Sequence, residues 1–213
     1  MFAPSLFALQ YLKKRFGFPG NIYASFQHTD CILRFEKDTF DLMPLPSSIR
    51  YDSFWNFHPG TFYQFGEPMD QKADQGIRSI ALVKDSIWVA NEDIGGVAVV
   101  SVATGMMTTI IIVPSPIGLH YDKHSDRVFV SSKQKHWQGA VYGIDPHKLR
   151  IISKYTTDRM NHPTGITSHD DDLFVAEQER GEIYKFSIER EEYLGKVVKH
   201  LPQEIEQMIM SDC

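Results

Sequence analysis

The chain is predicted to be all-β: a β-propeller or partial propeller of about four four-stranded blades, with a short C-terminal helix. Three observations predict it. A short β-branched and aromatic run ending in a small or polar residue occurs four times, as Ile22-Tyr23-Ala24-Ser25, Ile87-Trp88-Val89-Ala90, Val128-Phe129-Val130-Ser131 and Leu173-Phe174-Val175-Ala176. The aromatic members lie 65, 41 and 45 residues apart. Each copy follows a turn-forming cluster and precedes another apolar run about ten residues on. A unit of four strands repeated every 41 to 45 residues is the sequence signature of propeller blades. A sandwich does not require such internal copying, and the strand-helix alternation of a doubly wound sheet is absent.

The elements follow in order. Residues 1–43 form the first blade, with the apolar start Met1 to Leu12 as its innermost strand, Tyr23 at the centre of the second and Ile32 to Phe35 in the third. The long first interval leaves 44–75 over. This stretch, with Phe54, Trp55, Phe57, Phe62, Tyr63 and Phe65, is read as an aromatic rim insertion. Three blades follow at 76–113, 117–155 and 163–199. Their first strands open near glycine (Gly76, Gly118, Gly165), and their second strands follow Lys84-Asp85-Ser86, His124-Ser125-Asp126 and Asp170-Asp171-Asp172. Strand alternation should send Ile87, Val89, Val128 and Val130 to one sheet face and Trp88 and Phe129 to the other. In the tail, 200–213, Ile205, Met208 and Ile209 have helical spacing.

Composition narrows the function classes. The 213 residues are 42% hydrophobic and 23% charged, enough to bury a real core. A net charge of -5 gives no basic footprint for nucleic acid, and Lys13-Lys14-Arg15 is too short to supply one. The apolar start lacks a preceding positive region and is too short to span a membrane. Two cysteines, Cys31 and Cys213, build neither a disulfide scaffold nor a zinc site. They are expected to be unbonded, which favours a reducing compartment such as the cytoplasm.

Two stretches resemble the NHL-type and related six-bladed propellers. The segment from Gly20 to Glu36 has a glycine-asparagine turn, a tyrosine strand, a polar loop and a strand ending Arg34-Phe35. His162-Pro163-Thr164-Gly165-Ile166 followed by Leu173 to Glu177 is similar to the blade opening of NHL, strictosidine-synthase-like, paraoxonase-like and gluconolactonase-like proteins. The resemblance implies six blades, so four visible ones suggest a partial chain with open edges prone to self-association. In the hydrolytic relatives the opening is usually Pro-Asn-Gly, whose asparagine helps hold a divalent ion. Here Thr164 takes that place, and the other family ligands are not found in matching positions.

In a propeller the loops from second to third strands, and those between blades, share the face around the channel mouth. Loops on a rigid scaffold commonly carry function. The candidate ligand-binding residues on that face are Arg78, Asn91, Glu92, His136, Trp137, His162, Thr164 and Glu177. Asn91-Glu92-Asp93 offers oxygen ligands, though an acidic, glycine-rich hairpin loop also forms for turn reasons alone. His162 suits a ligand or general base, or a packed histidine; Trp137 beside His136 suits recognition or loop anchoring. His120 and His124 are four residues apart in an extended context, about 13 Å, too far to share a metal. No Gly-x-Ser-x-Gly elbow, phosphate loop or His-Glu-x-x-His occurs. The expected function is a non-enzymatic module that binds a protein or small-molecule ligand through the mouth loops or the aromatic rim, with no cofactor. The alternative, which the resemblance implies, is a metal-dependent hydrolase, lactonase or lyase using a divalent cation such as calcium.

Overall fold

Alternating β-branched and aromatic residues make strands, the middle ones buried on both faces, and among the described residues each strand pairs antiparallel with a sequence neighbour. A computed structural model describes residues 22–26, 31–35, 61–64, 76–92, 94–133 and 138–198. They form three four-stranded sheets and one of three strands, each in simple sequence order. The first sheet holds β1 (Ile22–Phe26), β2 (Cys31–Phe35) and β3 (Thr61–Gln64). The second holds β4 (Ile77–Val83), β5 (Ser86–Asn91), β6 (Gly96–Ser101) and β7 (Met107–Ile112). The third holds β8 (Pro116–Asp122), β9 (Arg127–Ser132), β10 (Ala140–Asp145) and β11 (Arg150–Tyr155). The fourth holds β12 (Pro163–His169), β13 (Asp172–Glu177), β14 (Glu182–Ser187) and β15 (Glu192–Val198). Among the described residues there is no helix.

The four repeated runs are β1, β5, β9 and β13, each in a different sheet, as a propeller requires. The turns before three of them carry a residue in the left-handed region: Lys84 (φ 55), Asp126 (φ 50) and Asp170 (φ 52). One correction concerns the stretch 44–75. Its segment Thr61–Gln64 pairs with β2 as an outer strand of the first sheet, so this stretch contains part of a blade. The proposed inner strand at Met1 to Leu12, the tail 200–213 and Cys213 lie outside the described residues.

The core lies between sheets. Ile87, Val89, Ala98 and Val100 meet Ile32 of the first sheet. Trp88, Val97 and Val99 face the third sheet, where Val128, Val130 and Ile144 receive them. Phe129, Val141 and Tyr155 in turn face Leu173, Val175, Tyr184 and Phe186 of the fourth. Thus Ile87, Val89, Val128 and Val130 point one way around the arc, and Trp88 and Phe129 the other. Each blade is glued to the next by one face of period-two side chains, at about 1.5–3 kcal/mol per large side chain buried.

The first strands, β4, β8 and β12, stand side by side along the inner wall of the arc. Ser131 ties two of these inner strands together. Its Oγ accepts the Gly118 N–H at 2.8 Å and donates to the Thr164 carbonyl at 2.7 Å.

Candidate functional site

Each of the three described inner strands begins with a register shift at the same position. The breaks fall between Ile77 and Ser79, Pro116 and Leu119, and Pro163 and Ile166. A bulge frees its extra residue from the ladder and re-aims the side chain. Arg78, Ile117, Gly118, Thr164 and Gly165 are the residues so placed. At the end of each second strand, a backbone N–H reaches the segment entering the same blade: Glu92 to the Gly76 carbonyl, Lys133 to that of Ser115, Gln178 to that of His162. These two features repeat around the arc and build one rim.

Between them lies a cleft of about 450 Å³ lined by Arg78, Glu92, Lys133, His162, Thr164 and Gln178, with His120 and the inner-strand residues Ser79, Leu119 and Ile166 behind. The Arg78 guanidinium donates to Glu92 at 2.8 Å, within one blade. His162 is largely buried, its Nδ1 4.0 Å from the exposed Glu179 carboxylate. Burial lowers its pKa below the usual histidine value, the charge of Lys133 lowers it further, and Glu179 and Glu92 pull the other way. Deeper in, His120 Nε2 lies 2.7 Å from Ser168 Oγ on the neighbouring inner strand. Burial lowers the pKa of His120 as well, partly offset by Asp122.

Of the eight candidate residues, the cleft brings together Arg78, Glu92, His162 and Thr164. Asn91 and Glu177 sit one residue behind the rim, inside the wall, and are buried. Asn91 Oδ1 accepts the Ile94 N–H at 3.2 Å. Glu177 accepts the His162 N–H at 2.7 Å and the Asn161 N–H at 3.3 Å on one oxygen, and the Arg180 N–H at 2.7 Å on the other. Both side chains therefore shape the loops that carry the rim. His136 and Trp137 lie outside the described residues. The candidate set omitted Lys133, Gln178 and His120. The signal for two of them was present: Glu92, Lys133 and Gln178 are spaced by 41 and 45, as are Trp88, Phe129 and Phe174.

No family model matches the chain, and no curated protein is similar to it in sequence. Among solved structures it is similar to Kuenenia stuttgartiensis hydrazine synthase, with TM-score 0.62 and 13% identity over 84% of this chain and 46% of that one. It is similar to the computationally designed Ika8 protein, with TM-score 0.61 and 12% identity over 93% of this chain and 52% of that one. The WD40 repeats of RRP9 align with TM-score 0.50 and 11% identity over 60% of this chain and 40% of that one. The chain spans about half the length of the first two. At such identities the similarity concerns the fold alone, and WD40 repeats are propeller blades.

Proposed function

We propose that this chain is a non-enzymatic binding module that receives a segment of another protein at its channel mouth. The observation carrying this reading is the rim itself. Equivalent positions of three successive blades, Glu92, Lys133 and Gln178, converge with Arg78, His162 and Thr164 on one cleft of about 450 Å³. A rigid concave surface with a few convergent polar groups is what a binding site needs. The aromatic stretch around Trp55 belongs to the same reading as a second contact surface, and so does the NHL-like character of the blade opening at Pro163-Thr164-Gly165.

The test is peptide display against the purified chain. Binders should be selected, and the Arg78→Ala/Lys133→Ala variant should lose them while keeping its circular dichroism. Binders indifferent to that double substitution would place recognition elsewhere. The metal-dependent hydrolase would need a cation at the mouth. Glu177, the carboxylate nearest the Pro163-Thr164-Gly165 opening, accepts backbone N–H groups on both oxygens, which favours the binding module. Stoichiometric calcium or zinc in purified protein, lost on Glu177→Gln, would reverse that ranking.

A further inference from the structure

The charged groups around His162 come from every element that forms the mouth. Arg78 stands on β4, Glu92 follows β5, Lys133 follows β9, and Glu179 lies in the turn between β13 and β14. Glu177 holds the His162 backbone N–H from behind. These charges are not evenly matched. Arg78 and Glu92 pair at 2.8 Å and cancel locally. Glu179 is 4.0 Å from His162 Nδ1 and half exposed, so solvent screens it. Among the described residues no carboxylate forms an ion pair with Lys133. The half-buried Lys133 is therefore the cation that the cleft presents to a ligand.

We propose that the mouth takes a carboxylate of the partner protein, seated between Lys133 and His162, and that His162 gains a proton as it is seated. This rests on the reading of the mouth as a protein-binding face. Charge counting selects the class. A cationic group would meet Lys133 head on. A phosphate monoester brings about -1.5 to -2, which Lys133 balances only in part while His162 is neutral. A carboxylate carries one charge, matched by Lys133, and the Gln178 amide and Thr164 hydroxyl in the same wall are the neutral polar groups such a ligand needs. Once bound, it offsets the field of Lys133, which adds to burial in lowering the His162 pKa. The imidazole then gains an anionic acceptor as well, so protonation and binding reinforce one another.

The probe is fluorescently labelled N-acetyl-tetraglutamate, with the tetralysine peptide as control, followed by anisotropy between pH 7.5 and 5.5. The expected results are binding of the acidic peptide only, severalfold tighter at pH 5.5, and a loss of about tenfold on Lys133→Ala. His162→Gln should bind and lose the pH dependence. An NMR titration should show the His162 ring pKa rising when the peptide is added. Equal binding to wild type and Lys133→Ala, or pH-independent binding with an unmoved His162 resonance, would overturn the proposal. Display peptides that need Arg78 and Lys133, together with no binding of tetraglutamate, would overturn the carboxylate and leave the binding module standing. Failure of both peptide sets at the mouth would remove both.

Discussion

Glu177 shows how much of the rim depends on one buried carboxylate. With no exposed surface and with hydrogen bonds from the Asn161, His162 and Arg180 N–H groups, it ties the segment entering the fourth blade to the turn leaving β13. Hydrogen bonds to a charged group contribute about 1.5–3 kcal/mol each, and stranding their buried donors costs a similar amount. Glu177→Ala should therefore destabilise the chain by about 2–4 kcal/mol in urea unfolding, with Glu177→Gln losing less. A midpoint unchanged by alanine would mean that water replaces the carboxylate. His120 makes a second, pH-linked prediction. Its folded pKa lies below the usual 6.5 of a histidine, chiefly because burial disfavours the imidazolium. The unfolded chain therefore binds the extra proton first, and stability falls as pH drops below about 6.5 toward the folded value. Asp122 acts lower. Burial raises its pKa, but hydrogen bonds from Ser125, His124 and Ser168 outweigh this and hold it below 3.8. The stability it supplies is present above the unfolded value and lost on further acidification. Replacing His120 by Gln should flatten the unfolding free energy between pH 6.5 and 5 and leave the loss below pH 4. An unchanged profile across the upper window would assign that loss to His162 or another group.

The inner strands pack so closely that a methyl group matters. A Cβ built on Gly118 would stand 2.2 Å from the Thr164 carbonyl oxygen and 2.8 Å from Ser131 Oγ, the atoms that link β8, β9 and β12. Backbone cannot yield as a flexible side chain does. Gly118→Ala should cost about 2–3 kcal/mol and open the rim. Differential scanning calorimetry would check the first effect, and loss of mouth binders the second. A neutral Gly118→Ala would show that the blades can slide apart at no cost. The same strands explain what the sequence made legible. Second strands, with their aromatic centres and left-handed turns, were visible because a period of two and a pitch of 41 to 45 repeat in side-chain type. The bulges that place Arg78 and Thr164 at the mouth were not, because they arise from how β4 and β12 register on β5 and β13, and the glycine that two of them share, Gly118 and Gly165, is missing from the third, which holds Arg78. Strand β3 was hidden for a related reason. It is only four residues long and lies far from β2 in sequence, within an aromatic-rich stretch that masks alternation.

Blade packing around the arc leaves a question at its trailing face. Trp88, Phe129 and Phe174 occupy one position in successive second strands and point toward the following blade. The first two are buried by it, whereas Phe174 is only half-buried. The cross-strand partners of these aromatics differ in a telling way. Trp88 pairs with Val99 and Phe129 with Gly143, both buried, but Phe174 pairs with Lys185. The Lys185 ammonium lies 5.9 Å from the Phe174 ring centroid and forms an ion pair with Asp172 at 2.7 Å. Charged groups on an exposed sheet face are a known means of discouraging edge and face association. Burying these would require desolvating an ion pair, a cost of several kcal/mol per ion that attraction between the pair only partly returns. Association of two copies through this face of the fourth sheet is therefore opposed by the Lys185–Asp172 pair. Lys185→Val with Asp172→Ser, which installs the residue types found at Val99 and Ser86 of the second blade, should remove the obstacle. Light scattering should then show a mass that rises with concentration more steeply than for the wild-type chain, and Phe174→Gln in the same background should reverse the rise. Identical curves for wild type and the double variant would show that copies, if they meet at all, do so through another surface.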